Sequence, residues 1–316
     1  MGTEEIAAQR THFKGRSEWP ARLRLMWWLG RQAWMTMGND RALRRLYHPD
    51  AQKHFLFEMD FFGQRYRGDL AQYLDWCIFC YGACPHSELR VLKAVTETLR
   101  AERTGPVSFF DVGANVGHHS LFMAGVADKV FSFEPFEKVR SQFETNIALN
   151  GLKNIEVLPI GLGAEDEVLA FYPGEGANDG VGTFLESSAT QHAVKYDLPV
   201  RRGDTLFAER SFPKIDIMKV DVEGFEAAVF AGLRERIRRD RPVILTELSP
   251  SSHAEFHGEE AFRHSFYEGA VLAEVEGRLN QTEFKLRRFG FKPGCEILVV
   301  PPEMADFIQS RIAANR

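Results

Sequence analysis

FFDVGANVGHHSLFMAG, residues 109–125, sets one acid and two glycines between an apolar run and the start of another. The preceding VSFFDVG predicts a short buried strand, and residues 116–127 predict a helix. Gly113 and Gly117 lack a Cβ, so the backbone can turn sharply and a ligand can come close to it. The helix that follows presents free N–H groups and a partial positive charge at its start. In an open α/β sheet ligands sit at such strand ends. The junction therefore decides both the fold class and the place to look for a site.

The acid narrows the ligand. Asp111 at the strand end suits an ammonium or a hydroxyl and repels a pyrophosphate. A dinucleotide cradle reads G-x-G-x-x-G, and here Asn115 stands at the second glycine. Glu134 closes the next strand, KVFSFEP, 21 residues past Gly113. That spacing sets a carboxylate over a ribose diol. Two acids and a glycine turn fit S-adenosylmethionine, which carries an ammonium, a sulfonium and an adenosine. The bland alternative is a tight turn with solvated acids.

Strand–helix alternation continues outward. EKVRSQFETNIALNG predicts a helix stopped by Gly151, and IEVLPIGLG a third strand. EVLAFY and GTFLES predict a strand pair across the loop PGEGANDGVG, residues 173–182, with LPVRRG a further short strand and the loop a candidate lid. KIDIMKVDVEG predicts a strand feeding one helix, FEAAVFAGLRERI, and PVILTEL the next strand. A helix over 259–275 and an antiparallel pair, FGFKPG with EILVVPP, complete the chain. The whole predicts an α/β domain over 106–316, a doubly wound, mostly parallel sheet with a C-terminal antiparallel pair. Residues 1–105 predict a mainly helical region, including 87–103, SELRVLKAVTETLRAER.

The 316 residues carry a net charge of −5. Residues 1–50 hold nine Arg/Lys against five acids, with four of the five tryptophans between 19 and 34. Trp19, Leu23, Met26, Trp27, Gly30, Trp34 and Met37 recur near a helical period, so 19–37 predicts a basic amphipathic helix. It either packs on its own domain or docks on a membrane surface or a partner. With basic charge confined there and no N/D-P-P-Y/F run, nucleic acid is not an expected partner. Initial acids without an apolar signal core, and no run near ~20 apolar residues, predict a cytoplasmic protein. Cys77, Cys80 and Cys84 in YLDWCIFCYGAC predict buried reduced thiols rather than a metal site.

The segments DVGANVGHHSLFMA, VFSFEPFEKVRSQFETNIALNG, IGLGAEDEVLAFY and IDIMKVDVEGFEAAVFAGL together resemble the FkbM-type S-adenosylmethionine-dependent methyltransferases over 106–250, and PVILTEL resembles the next strand. The resemblance implies a Rossmann-like methyltransferase fold and O-methylation of sugars, polyketides or peptide products. Carried onto matching positions, Asp111, Gly113, Asn115 and Gly117 line the methionine end of the cofactor. Glu134 holds the ribose, and Gly161, Leu162 and Gly163 lie near adenine. Phe207 in GDTLF and the pair His118–His119 depart from the family pattern. These histidines, at the start of the first helix, are expected to pack.

Methyl transfer to a hydroxyl needs positioning and removal of a proton. Period two sets Lys219, Asp221 and Glu223 on one side of the fourth strand. A buried ammonium needs a counter-charge, and Asp221 is the near candidate. Glu247 ends the neighbouring strand. These four are the candidate catalytic residues, with Asp221, Glu223 or Glu247 as base. Such carboxylates also admit a divalent cation. The structural alternative is a Lys219–Asp221 ion pair with Glu223 favoured by a helix dipole. His253 and His257 are spaced i, i+4 but lack the H-E-x-x-H pattern of a zinc helix. The expected activity is methyl transfer to a small-molecule or glycan hydroxyl. Peptide N-methylation, a non-catalytic binding module and an NAD-dependent dehydrogenase stand as alternatives.

Overall fold

The computed structural model describes residues 13–32, 35, 40–51, 53–174, 182–185, 194–277 and 283–314. The N-terminal region runs α1 (Ala21–Gly30), α2 (Arg41–Leu46), the hairpin β1 (Leu56–Phe61) and β2 (Gln64–Asp69), then α3 (Tyr73–Tyr81) and α4 (His86–Glu102). The sheet begins with β3 (Ser108–Val112), α5 (His118–Ala124), β4 (Lys129–Phe133), α6 (Glu137–Asn150) and β5 (Ile155–Leu158). β6 (Gly161–Gly163), β7 (Glu167–Phe171), β8 (Tyr196–Arg202) and α7 (Gly203–Glu209) follow, then β9 (Ile217–Val220), α8 (Glu226–Gly232), α9 (Arg234–Asp240) and β10 (Val243–Leu248). The chain ends with α10 (Pro250–Glu255), α11 (Glu259–His264), β11 (Val271–Glu276), β12 (Lys285–Arg288), β13 (Cys295–Val300) and α12 (Ala305–Ala314).

Eight strands make the main sheet in the order β12-β11-β13-β10-β9-β3-β4-β5. β5, β4, β3, β9 and β10 are parallel, and β13 runs antiparallel between β10 and β11. The order reverses between β3 and β9, which creates a crevice at their carboxyl ends. The strands alternate between two cores. Phe109, Ile217 and Leu245 face one core, shared with Trp19, Phe57 and Phe79 of the N-terminal region. Phe110, Met218 and Ile244 face the other, under α7, α8, α9 and α11. The N-terminal region thus closes one face of the sheet.

Several expectations need correction. The N-terminal region contains a β-hairpin. FLFEMDFFGQRYRGD alternates, burying Phe57, Met59 and Phe61, and Phe62–Gly63 turn with φ of 53° and 85°. The third strand splits at Pro159, which has no N–H for the ladder, so β6 leaves for a second sheet, β6-β8-β7. β7 pairs with β8, while the described residues of GTFLES, 182–185, supply the bridge of Thr183 to Tyr172. The helix over 225–237 breaks at Leu233, beside Gly232, whose added Cβ would lie 1.8 Å from the Gly163 carbonyl. Residues 259–275 are α11 followed by β11, separated by Gly269 at φ 74°. FGFKPG is not a strand; β13 pairs instead with β10 and β11. The tryptophan helix is α1, which ends at Gly30 with Arg31 as its C-cap; Trp34 and Met37 lie outside the described residues, as do 175–181 of the candidate lid. α1 packs on α3, so closely that a Cβ on Gly30 would meet the Cys80 carbonyl at 2.3 Å, while Leu25 and Trp28 stay exposed.

An amide stripe on α6 docks the hairpin. Asn146 Oδ1 accepts from Arg67 N at 2.8 Å, and Asn146 Nδ2 donates to Arg67 O at 3.1 Å. Asn150 does the same for Arg65, at 2.7 Å each way. Two side chains four residues apart thus satisfy a strand edge as another strand would.

Candidate active site

One cavity of about 760 Å³ opens at the β3/β9 crevice. Its floor is the glycine turn, and its far wall comes from β1–β2, α3 and α4 of the N-terminal region. Three residues of the turn have left-handed backbone: Gly113 at φ 84°, Asn115 at 54° and Gly117 at 77°. A Cβ on Gly113 would lie 1.9 Å from the Asp221 carbonyl, and one on Gly117 would lie 2.0 Å from the Phe143 ring. The glycines are therefore required by the protein's own packing, a reason the close-approach argument did not anticipate.

Glu134 is buried in the same wall. Its two oxygens accept from Asn115 N and Phe136 N, both at 2.8 Å, which ties the turn to the end of β4. Burial nevertheless pushes its carboxyl up to about 7. Gly113, Asn115, Glu134, Gly161 and Leu162 line the cavity. Asp111, Gly117 and Gly163 are not among its lining residues. Asp111 is fully buried behind the turn, where Oδ2 accepts from Ser120 Oγ at 2.6 Å and Oδ1 has no hydrogen-bond partner. Gly163 packs against Val200 and Phe225.

The end of β9 brings the expected charged residues together. Lys219 Nζ donates to Asp221 Oδ2 at 2.7 Å. Strand register sets Asp111 beside Lys219 and Glu296 opposite Glu247. Burial alone would lower the lysine, but Asp221, Glu88, Asp111 and Glu296 together hold it above its ordinary range. Burial works to raise Asp221, and the Lys219 ammonium overrides it and keeps Asp221 below the usual carboxylate value. Glu223, at φ 52°, rises to about 8 through burial and then the charges of Asp221 and Glu247. Glu247 rises to about 7, again by burial first and Asp221 second. Lys219, Asp221 and Glu223 line the cavity, and Glu247 is not among the lining residues.

The N-terminal wall supplies what the sequence did not reveal. Glu88 of α4 lines the cavity at 4% exposure and is pushed up to about 7 by burial. Its Oε2 lies 2.8 Å from His119 Nε2, without the alignment of a hydrogen bond, so that nitrogen has no partner. His118 Nε2 lies 2.8 Å from the Cys84 carbonyl, and its Nδ1 is buried without a partner. Burial holds both imidazoles well below their ordinary values, so both are neutral. The histidines pack as expected, but they also form cavity wall. A signal for Glu88 existed: it lies on the buried stripe that also holds Val91, Leu92 and Val95.

A cavity of this size suits a small-molecule ligand, and its surplus of carboxylates suits a cationic one. Of the residues expected to hold S-adenosylmethionine, Gly113, Asn115, Glu134, Gly161 and Leu162 stand in the cavity wall. Among the described residues no group of three His, Cys, Asp or Glu is arranged to hold a metal ion. Cys77, Cys80 and Cys84 are free thiols, the first two buried in α3. His253 stacks on Phe291, and α10 ends before His257, so the two do not share a helix. No helix among the described residues is long and apolar enough to cross a membrane.

A family model described as the methyltransferase FkbM domain matches residues 111–287. AMB antimetabolite synthetase AmbE of Pseudomonas aeruginosa is 26% identical over 171 residues, which cover 43% of this chain but 8% of AmbE. The 2-O-methyltransferase NoeI of Sinorhizobium fredii is 27% identical over 179 residues, 52% of this chain and 71% of NoeI. The hexuronic acid methyltransferase AglP of Haloferax volcanii is 28% identical over 159 residues, 50% of this chain and 63% of AglP.

Proposed function

The chain belongs to the FkbM methyltransferase family, and from that premise we propose that it methylates a hydroxyl of a sugar, glycan or other small hydroxyl-bearing natural product. As a member it is an S-adenosylmethionine-dependent methyltransferase, which sets aside the nicotinamide alternative. The name of NoeI supports O-methylation, and that of AglP supports a sugar-acid acceptor. The observation that carries the reading is that one cavity has the glycine turn, Glu134 and the pair Asp221–Glu223 in its wall.

Bound S-adenosylmethionine supplies a methyl group already activated by its sulfonium. The protein's work is then to hold the acceptor oxygen in line and to take its proton. Glu223 is the base in this reading. Its carboxyl at about 8 is matched to a weakly acidic hydroxyl near neutral pH better than an ordinary carboxylate is. Asp221, kept ionised by Lys219, orients the acceptor hydroxyl.

Transfer of labelled methyl to a panel of neutral and acidic sugars tests this. Turnover should rise with pH through about 8, because Glu223 must lose its proton to act. Glu223→Gln should lower kcat by about 10²-fold or more. Full turnover in both Glu223→Gln and Asp221→Asn dismisses the catalytic assignment. Label on peptide nitrogen, with none on any hydroxyl, replaces O-methylation by N-methylation.

A further inference from the structure

We propose that Glu88 and His118 receive the α-ammonium of the cofactor's methionine end, so that the N-terminal region completes the cofactor site. The inference rests on the methyltransferase reading of the cavity. It begins from a vacancy in the expected role. The acid at the end of β3, Asp111, is buried behind the turn, bonded to Ser120 and set beside Lys219 in the sheet. It is not part of the cavity wall. A carboxylate for the ammonium must come from elsewhere.

Glu88 and His118 meet the requirement by their hydrogen-bonding state. The Cys84 carbonyl is an acceptor, so the His118 Nε2 next to it carries the proton and donates. In the neutral ring Nδ1 is then a bare lone pair, buried, unpartnered and on a residue that lines the cavity. Such a nitrogen can only accept. Beside the His118 ring, at 4.0 Å between centroids, stands His119, and 2.8 Å from His119 stands the Glu88 carboxylate, another acceptor. A buried acceptor without a donor, such as His118 Nδ1, is costly unless a ligand brings the donor. An ammonium brings three. The Lys219 ammonium donates to Asp221 and not to Glu88. His118 and His119 open α5 immediately after Gly117, at the end of the turn.

Two products of the cofactor separate this idea from the reading beneath it. S-adenosylhomocysteine keeps the amino acid, and 5′-methylthioadenosine lacks it. Calorimetry on the full chain should show Glu88→Gln weakening S-adenosylhomocysteine by about 10- to 100-fold, the loss of one charge-assisted bond, while 5′-methylthioadenosine changes less than about twofold. Retained binding of the second ligand also shows the variant to be folded. Glu88→Asp, which keeps the charge, should recover part of the loss. On the unaltered protein, decarboxylated S-adenosylhomocysteine, which keeps the ammonium, should bind at least about 10-fold tighter than 5′-methylthioadenosine. Equal affinity of those two, or equal effects of Glu88→Gln on both ligands, overturns the assignment and leaves the methyltransferase reading intact. If the unaltered protein binds none of these ligands, both fall.

Discussion

The glycine turn, Asp111–Gly117, and the end of β9, Lys219–Gly224, face one cavity but treat their polar groups in opposite ways. At the turn the protein satisfies most of its own polar groups, Asp111 Oδ1 excepted. Glu134 accepts from two backbone N–H groups, Ser120 bonds Asp111, and Phe143 fills the space over Gly117. At β9 one ammonium faces several carboxylates, and Glu223 is left with like-charged neighbours. The first arrangement fixes a backbone before any ligand arrives. The second stores unfavourable electrostatics where chemistry needs a group willing to take a proton. The contrast separates a seat from a reacting end.

The largest effect should come from removing the one cation. Lys219→Met leaves Asp221, Glu88, Asp111 and Glu296 without their counter-charge, and a broken buried pair costs about 3–5 kcal/mol. The loss should be greater at pH 8 than at pH 5.5. Without the ammonium the carboxyls hold protons more tightly, and at low pH they are neutral in the folded state. Urea unfolding at the two pH values measures this. Equal losses at both would mean that Lys219 acts by packing alone.

Next in size is the turn. In Gly113→Ala the new methyl meets the Asp221 carbonyl, and φ of 84° is strained for any side chain. We expect a destabilisation of about 2–4 kcal/mol. Because the clash falls on the backbone of Asp221, the variant also joins the two regions compared here. Cofactor affinity and acceptor turnover should fall together. An unchanged melting temperature would show that the turn is less fixed than its hydrogen bonds suggest.

The sequence made the seat more legible than the wall above it. Gly113, Glu134 and the order of β3, β4 and β9 follow from local patterns: periodicity, turn residues and strand ends. The hairpin was also written locally, in the alternation of Phe57, Met59 and Phe61, but the surrounding helices masked it. Glu88 is different. Its part depends on α4 docking across the sheet, which no spacing within 87–103 encodes, and only its place on a buried stripe hints at it. Asp111 fails for the same reason in reverse. Strand period gives its side of the sheet, but the distance from the cavity is set by Ser120 and Lys219, which fold over it.

The smallest expected effect tests whether the reacting end is held at the expense of stability. Glu223 has a folded-state value near 8, above the ordinary 4.5, and Glu88, Glu134 and Glu247 stand near 7. A carboxyl raised in this way favours the fold when protonated. Its contribution is complete below about 4.5 and is lost as pH climbs through 7 to 8. The protein should therefore melt at a higher temperature near pH 5.5 than near pH 8. Glu223→Gln removes one such group while keeping its shape. The variant that loses turnover should gain stability of about 1 kcal/mol at pH 8 and little at pH 5.5. Melting curves at the two pH values decide it. A variant less stable than the parent at pH 8 would make Glu223 a structural residue, held by the helix start rather than poised for the acceptor.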